Sequence, residues 1–268
     1  MLKTRILLVV GSVIVIWLIF LLPKVVVDNE AVLEENTDES PSQTAEVHTE
    51  VSPEIQEAIH RMRDQMRERL PKEKNAIFAD SLANLYGEAG KFDSAAWFAE
   101  EASEFFNTTE SWIKAGDHYY QAYTFALDQA RQNQLAEKAR EFFKKVLDAN
   151  PKNLEVKTKL AMTYLSDSPM QGVLMLREVL AEDPKNELAL LNMGMLSIQS
   201  GQHERAVGRL EELIKINPNH AQGHLLLGIA LMNTGNKERA RQQFEKVKQM
   251  DKDPAVQATV DSYLKDLK

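Results

Sequence analysis

His220 and His224 stand four residues apart, the spacing at which one helix face can hold a metal ion. No third histidine and no carboxylate follows at a useful offset, so a metal centre is not expected. The chain has no cysteine. That removes thiolate metal sites, disulfides and a cysteine nucleophile together. His118 lies beside Tyr119 and Tyr120 and reads as a packed side chain. The carboxylate pairs Glu100-Glu101 and Glu211-Glu212 read as solvated helix faces. There is no nucleophile elbow, no phosphate-cradling lysine loop and no dinucleotide fingerprint. No catalytic residue, cofactor or metal is therefore expected, and the chain is read as a non-enzyme.

Charge is placed unevenly along the 268 residues. Residues 1–24 carry Lys3, Arg5 and Lys24 and no acid. Residues 25–60 carry ten acids and no lysine or arginine. Residues 61–268 hold 29 bases and 30 acids. The part able to fold is close to neutral, which argues against a nucleic-acid partner.

Ile6–Leu22 is free of charge over 17 residues, roughly 25 Å as a helix. Val25–Val27 can extend it if Lys24 snorkels to the headgroups. A cleaved signal peptide is the rival reading, but it needs small residues before a cut site, and none stands at 21–27. Lys3 and Arg5 precede the span and only Lys24 follows it. The positive-inside rule then leaves residues 1–5 in the cytoplasm and carries everything after 27 across, into a periplasm if the source is a bacterium. Residues 6–27 are read as a single-pass anchor and 28–52 as an acidic, disordered linker.

Ser52-Pro53-Glu54 forms a helix start, with a capping hydroxyl, proline in the first turn and an early acid. Ile55, Ile59, Met62, Met66 and Leu70 then recur on one stripe, read as a capping helix over 53–75.

The rest repeats. Pro151, Pro184 and Pro218 are 33 and 34 apart. Gly194 and Gly228, Gly201 and Gly235, and Ala206 and Ala240 are each 34 apart. Small residues recur at Ala83, Gly116, Ala161, Gly194 and Gly228, and again at Ala95, Ala139, Gly172, Ala206 and Ala240. Bulky ones follow at Phe143, Leu176, Leu210 and Phe244. Seven of the 11 glycines fall on repeat positions, which leaves little for a separate phosphate loop.

On these residues the chain resembles the tetratricopeptide repeat (TPR) family, whose unit is two antiparallel helices, A and B. The resemblance implies an all-α, right-handed TPR superhelix, an α-solenoid behind an N-terminal transmembrane helix. Its five units are 76–108, 109–153, 154–186, 187–220 and 221–254, and residues 255–268 form a closing helix. The second unit is about 11 residues too long, within 122–137, and reads as an elbow of extended helices. The third lacks the turn glycine and has Ser166-Asp167-Ser168-Pro169 instead.

In this family the concave groove is lined by helix A. Carried over residue by residue, the resemblance implies a partner groove of Met162, Leu188, Leu191, Asn192, Met195, Ile198, Leu225, Ile229 and Met232. Two readings of this apolar stripe stay open: a groove for a peptide or helix, or a face covered by neighbouring helices. A chaperone-tail clamp is not expected, since Asp80 stands where the family's lysine would be and only Lys114 and Lys159 lie near. The implied function is a membrane-tethered scaffold or adaptor that binds a protein partner, in envelope assembly or complex maturation. The alternative is a self-associating structural component whose groove is a homodimer interface.

Overall fold

The computed structural model describes residues 51–67 and 70–267. Residues 6–27, read as the anchor, and 28–50 of the linker lie outside the described residues. The described part is all helical and forms one compact unit. Its twelve helices are α1 (Pro53–Arg67), α2 (Lys72–Glu88), α3 (Phe92–Phe106), α4 (Thr109–Phe125), α5 (Gln129–Ala149), α6 (Leu154–Thr163), α7 (Pro169–Glu182), α8 (Glu187–Gln199), α9 (His203–Ile216), α10 (Ala221–Asn233), α11 (Lys237–Met250) and α12 (Pro254–Asp266).

Helix starts follow the sequence chemistry. Ser52 Oγ accepts the Ile55 amide at 3.3 Å, and Asp128, Asn153 and Asn186 cap α5, α6 and α8 in the same way. Pro71, which the sequence marks as the end of the capping helix, sits at the N-cap of α2, so the first A helix starts at Lys72, inside the segment assigned as 53–75. The turns of the first, fourth and fifth units need a left-handed residue, and Gly90, Gly201 and Gly235 supply it with φ of 72°, 71° and 79°.

The pairing of helices rests on small residues meeting large ones. A β-carbon on Gly116 would lie 2.6 Å from the Phe143 ring, one on Gly194 2.7 Å from Leu210, and one on Gly228 2.6 Å from the Phe244 ring. Phe143, Leu210 and Phe244 are all fully buried, so in these three units the B helix presses a bulky apolar side chain onto bare backbone of its A helix. Gly172 works in the reverse sense: a β-carbon there would lie 2.5 Å from the Ala161 carbonyl oxygen.

The second unit carries its extra length in an elbow. Helix α4 runs to Phe125 and α5 starts at Gln129, with Leu127 exposed between them. The third unit closes its glycine-free turn with a cation. The Arg140 guanidinium donates to both Asp167 oxygens at 2.8 and 2.9 Å and to Thr163, and it lies over the Tyr164 ring. At the far end, α12 covers α11 through buried Val260 and Leu267, and Tyr263 stacks on Phe244 at 5.0 Å.

Candidate partner groove

Each B helix (α3, α5, α7, α9, α11) packs on its own A helix and, except for α11, on the next one, while α4, α6, α8 and α10 also pack on one another in succession. The A helices therefore make a continuous wall, and the site is this wall.

Its first half is held by ion pairs. Lys114 of α4 reaches Asp80 of α2, with Nζ 3.0 Å from both oxygens. Lys159 of α6 reaches Asp117 of α4 at 2.8 and 3.0 Å and Glu155 at 3.0 Å. Burial opposes the Lys159 charge, but the hydrogen bonds and charges of Asp117 and Glu155 outweigh it and hold the ammonium above its ordinary value. Both lysines that could have met a partner's carboxylate are spent within the wall. Ile77 of α2 stands exposed beside this ladder.

The second half is apolar. Ile198, Leu225, Ile229 and Met232 pack, partly buried, around a cluster that includes Leu190, Leu191 and Leu227. Met195 packs beside Met162 and Met193. Of the nine groove residues read from the sequence, Leu191 and Met162 are buried at 8% and 6% exposure and belong to the core. The other seven are half-buried. Asn192 donates its amide to the Leu188 carbonyl of its own helix at 2.8 Å. The stripe is neither open groove throughout nor fully covered: its middle is core and its flanks remain accessible.

Within the first half, Tyr120 and Tyr123 of α4 stand partly buried. Burial raises Tyr123 and pushes Tyr120 up to about 12, and the Tyr123 hydroxyl donates to the Met162 carbonyl at 3.3 Å. His118 is lowered, chiefly by burial and in spite of Asp117 and Asp80, so its imidazole is neutral at pH 7.

The histidine pair is placed for structure. His220 Nδ1 accepts the Gly223 amide at 3.1 Å and caps α10. His224 is buried, with its ring nitrogens 2.7 Å from Gln243 Oε1 and 2.9 Å from the Pro218 carbonyl. Among the described residues no three metal-ligating side chains come together. Glu100 corrects the reading of its pair as solvated. Its carboxylate accepts the Tyr119 hydroxyl and pairs with Lys138 at 2.7 Å, which ties α3 to α4 and α5. Charge alone could not place it, because the elbow brings Lys138 from 38 residues away.

Residues 172–222 and 197–261 match the family model described as tetratricopeptide repeat. No curated protein matches the chain. Among solved structures, the chain is similar to a tetratricopeptide repeat protein from Parabacteroides merdae ATCC 43184, at 19% identity and a TM-score of 0.60 over 80% of this chain and 78% of that one. It is also similar to TTC0263, a thermophilic TPR protein in Thermus thermophilus, at 16% identity and a TM-score of 0.56 over 70% of this chain and 98% of that one. At these identities the likeness concerns the fold.

Proposed function

We propose that this chain, which is a tetratricopeptide repeat protein, acts as a non-enzymatic adaptor that holds an apolar peptide or helix of a partner protein against α8 and α10. One observation carries the reading: Leu188, Met195, Ile198, Leu225, Ile229 and Met232 remain partly exposed on the wall formed by the A helices. Each is mostly buried already and keeps at most about a third of the ~1.5–3 kcal/mol that full burial contributes. Six of them offer at most roughly 3–6 kcal/mol gross, against an association cost of about 4–15 kcal/mol. The apolar strip alone therefore supports affinities no tighter than about millimolar. Such a module suits reversible handover of a partner better than permanent capture.

The sequence adds the place. The uncharged span Ile6–Leu22, with basic residues before it, supports a tether that leaves the repeats outside the cytoplasm, where the adaptor would serve envelope assembly or complex maturation. Among the described residues no helix is long and apolar enough to cross a membrane.

A photocrosslinker placed at Met195, at Ile229 and, as a control, at Lys237 tests the groove in membranes containing the full chain. The expected result is one shared partner segment at 195 and 229, identified by mass spectrometry, and none at 237. Crosslinks only to second copies, together with a dimer mass by light scattering, would replace the reading with self-association. No crosslink at either groove position would end it.

A further inference from the structure

The seams between units are not built alike. Units one and two are joined by Lys114–Asp80, by Arg131–Asp93 at 2.8 Å and by Lys138–Glu100 at 2.7 Å. Units two and three are joined by Lys159–Asp117, by Arg140–Asp167 and by the Tyr123 hydroxyl on the Met162 carbonyl. Arg239 of unit five pairs with Glu211 of unit four. Beside the seam between units three and four, polar groups pair within their own unit. Lys157 meets Glu178 at 3.0 Å, and Asn217 donates to Glu187 at 2.8 Å. Among the described residues no side-chain hydrogen bond or ion pair joins 154–182 to 187–220.

Helix packing agrees. Helix α7 rests on α8 less extensively than α3 rests on α4, α5 on α6 or α9 on α10. Only Gly172, Leu176 and Val179 of α7 are buried, while Met170 and Leu174 stand exposed. No aromatic residue occurs from 165 to 243, so no ring pair crosses this seam. Across the first seam, by contrast, Phe92 and Phe125 stack at 4.4 Å.

A small apolar cluster fills the seam. Ala161, Met162, Leu176 and Val179 come from one side and Ala189 and Met193 from the other, with Met175 and Met195 packed against them. Four of the chain's ten methionines are therefore here. Methionine is unbranched and refills an altered gap at little cost. Two such faces can slide without breaking a directional bond. An ion pair near 2.8 Å holds its partners to a narrow range of positions.

We propose that the repeats form two stiff blocks, α1–α7 and α8–α12, which shear against each other on this methionine seam and so change the curvature of the A-helix wall. The whole apolar strip, Leu188 to Met232, lies in the second block. It moves as one piece, and the movement alters what faces it, the ion-paired half of the wall. The shear belongs to the chain itself and does not depend on a partner in the groove.

The chain has no cysteine, so paired spin labels can be placed on the full chain at chosen sites and their separations read by double electron–electron resonance. Glu104→Cys with Lys144→Cys reports within the first block, and Glu212→Cys with Glu245→Cys within the second. Lys144→Cys with Glu245→Cys reports across the seam. All four positions are exposed. A shift of ~1–2 Å between packed helices grows with distance from the seam, so the distribution across it should be at least about twofold wider than either within a block. Met162→Leu with Met193→Leu conserves volume and removes the pliant side chains, and should narrow the distribution across the seam alone. Met175→Leu, at a partly buried position, serves if that pair does not fold. Equal widths for all three label pairs would overturn the proposal, as would a leucine variant as broad as its parent. So would a broad distribution between 104 and 144, since the movement would then be spread through the whole stack.

Discussion

Gly228 lies under the Phe244 ring so closely that a β-carbon on it would sit 2.6 Å from Cε1 and 2.8 Å from Cδ1. The ring is fully buried and cannot swing aside. Gly228→Ala gains about 0.5–1 kcal/mol of helix propensity, but overpacking costs about 1–3 kcal/mol. The expected net is a loss of about 1–2 kcal/mol in urea unfolding. Gly208, exposed on α9, has nothing within 4 Å of the same position. Gly208→Ala should therefore stabilise by about 0.5–1 kcal/mol. If the two substitutions shift stability in the same direction, close approach is not what pairs the helices.

Arg140 governs the turn of the third unit in the way glycine governs those of the first, fourth and fifth. Its side chain is 9% exposed, and it ties α5 to the turn after α6 through Asp167 and Thr163. Arg140→Ala leaves the Thr163 carbonyl and the seam unpaired, and should cost about 2–4 kcal/mol. The hydrogen bond from Arg140 holds the Asp167 carboxyl below the usual aspartate range. A folded-state value lower than the unfolded one stabilises the fold above the ordinary range and stops doing so as pH falls through the folded value. The stability gap between wild type and Asp167→Asn should accordingly be flat near neutrality and shrink below about pH 4. A gap that widened on acidification would show that the carboxylate is not the species Arg140 holds.

Repetition made the close packing legible. The 34-residue interval put Gly194 and Gly228 over Leu210 and Phe244, and put left-handed glycines at 201 and 235, because those requirements are local and recur in both of the last two units. Arg140–Asp167 occurs in one unit only, where a cation replaces the missing glycine, so no periodicity announced it. Lys114 and Asp80 are 34 apart, and that spacing was a usable signal for the ladder once the A helices were known to be adjacent. The groove was legible as an apolar stripe but not as a surface. Helical spacing states which residues share a face, and only the neighbouring helices decide that Leu191 and Met162 are covered while Met195 and Ile229 are not.

That difference sorts four substitutions. Met195→Glu and Ile229→Glu place a carboxylate on partly exposed positions where it can reach water. They should reduce stability by under about 1 kcal/mol and weaken partner crosslinking at least tenfold. Leu191→Glu and Met162→Glu bury the charge in packed clusters and should cost several kcal/mol, with loss of cooperative melting. Circular dichroism melts separate the pairs. Unfolding by Met195→Glu and Ile229→Glu as well would make the whole stripe core and remove the groove.

The proposed tether makes a prediction independent of the repeats. Lys3 and Arg5 before the span outnumber Lys24 after it, and the acids that follow have little weight in setting orientation. An alkaline phosphatase fused after Lys268, active only where disulfides form, should show activity in a bacterial host, and a β-galactosidase fused there should not. Moving the positive charge, by Lys3→Gln and Arg5→Gln with two lysines added after Lys24, should reverse the two signals. Deleting residues 6–27 should release the chain from membranes and silence the phosphatase. A fusion already active as β-galactosidase with the natural charges in place would put the repeats in the cytoplasm, and the partner would then have to be sought there.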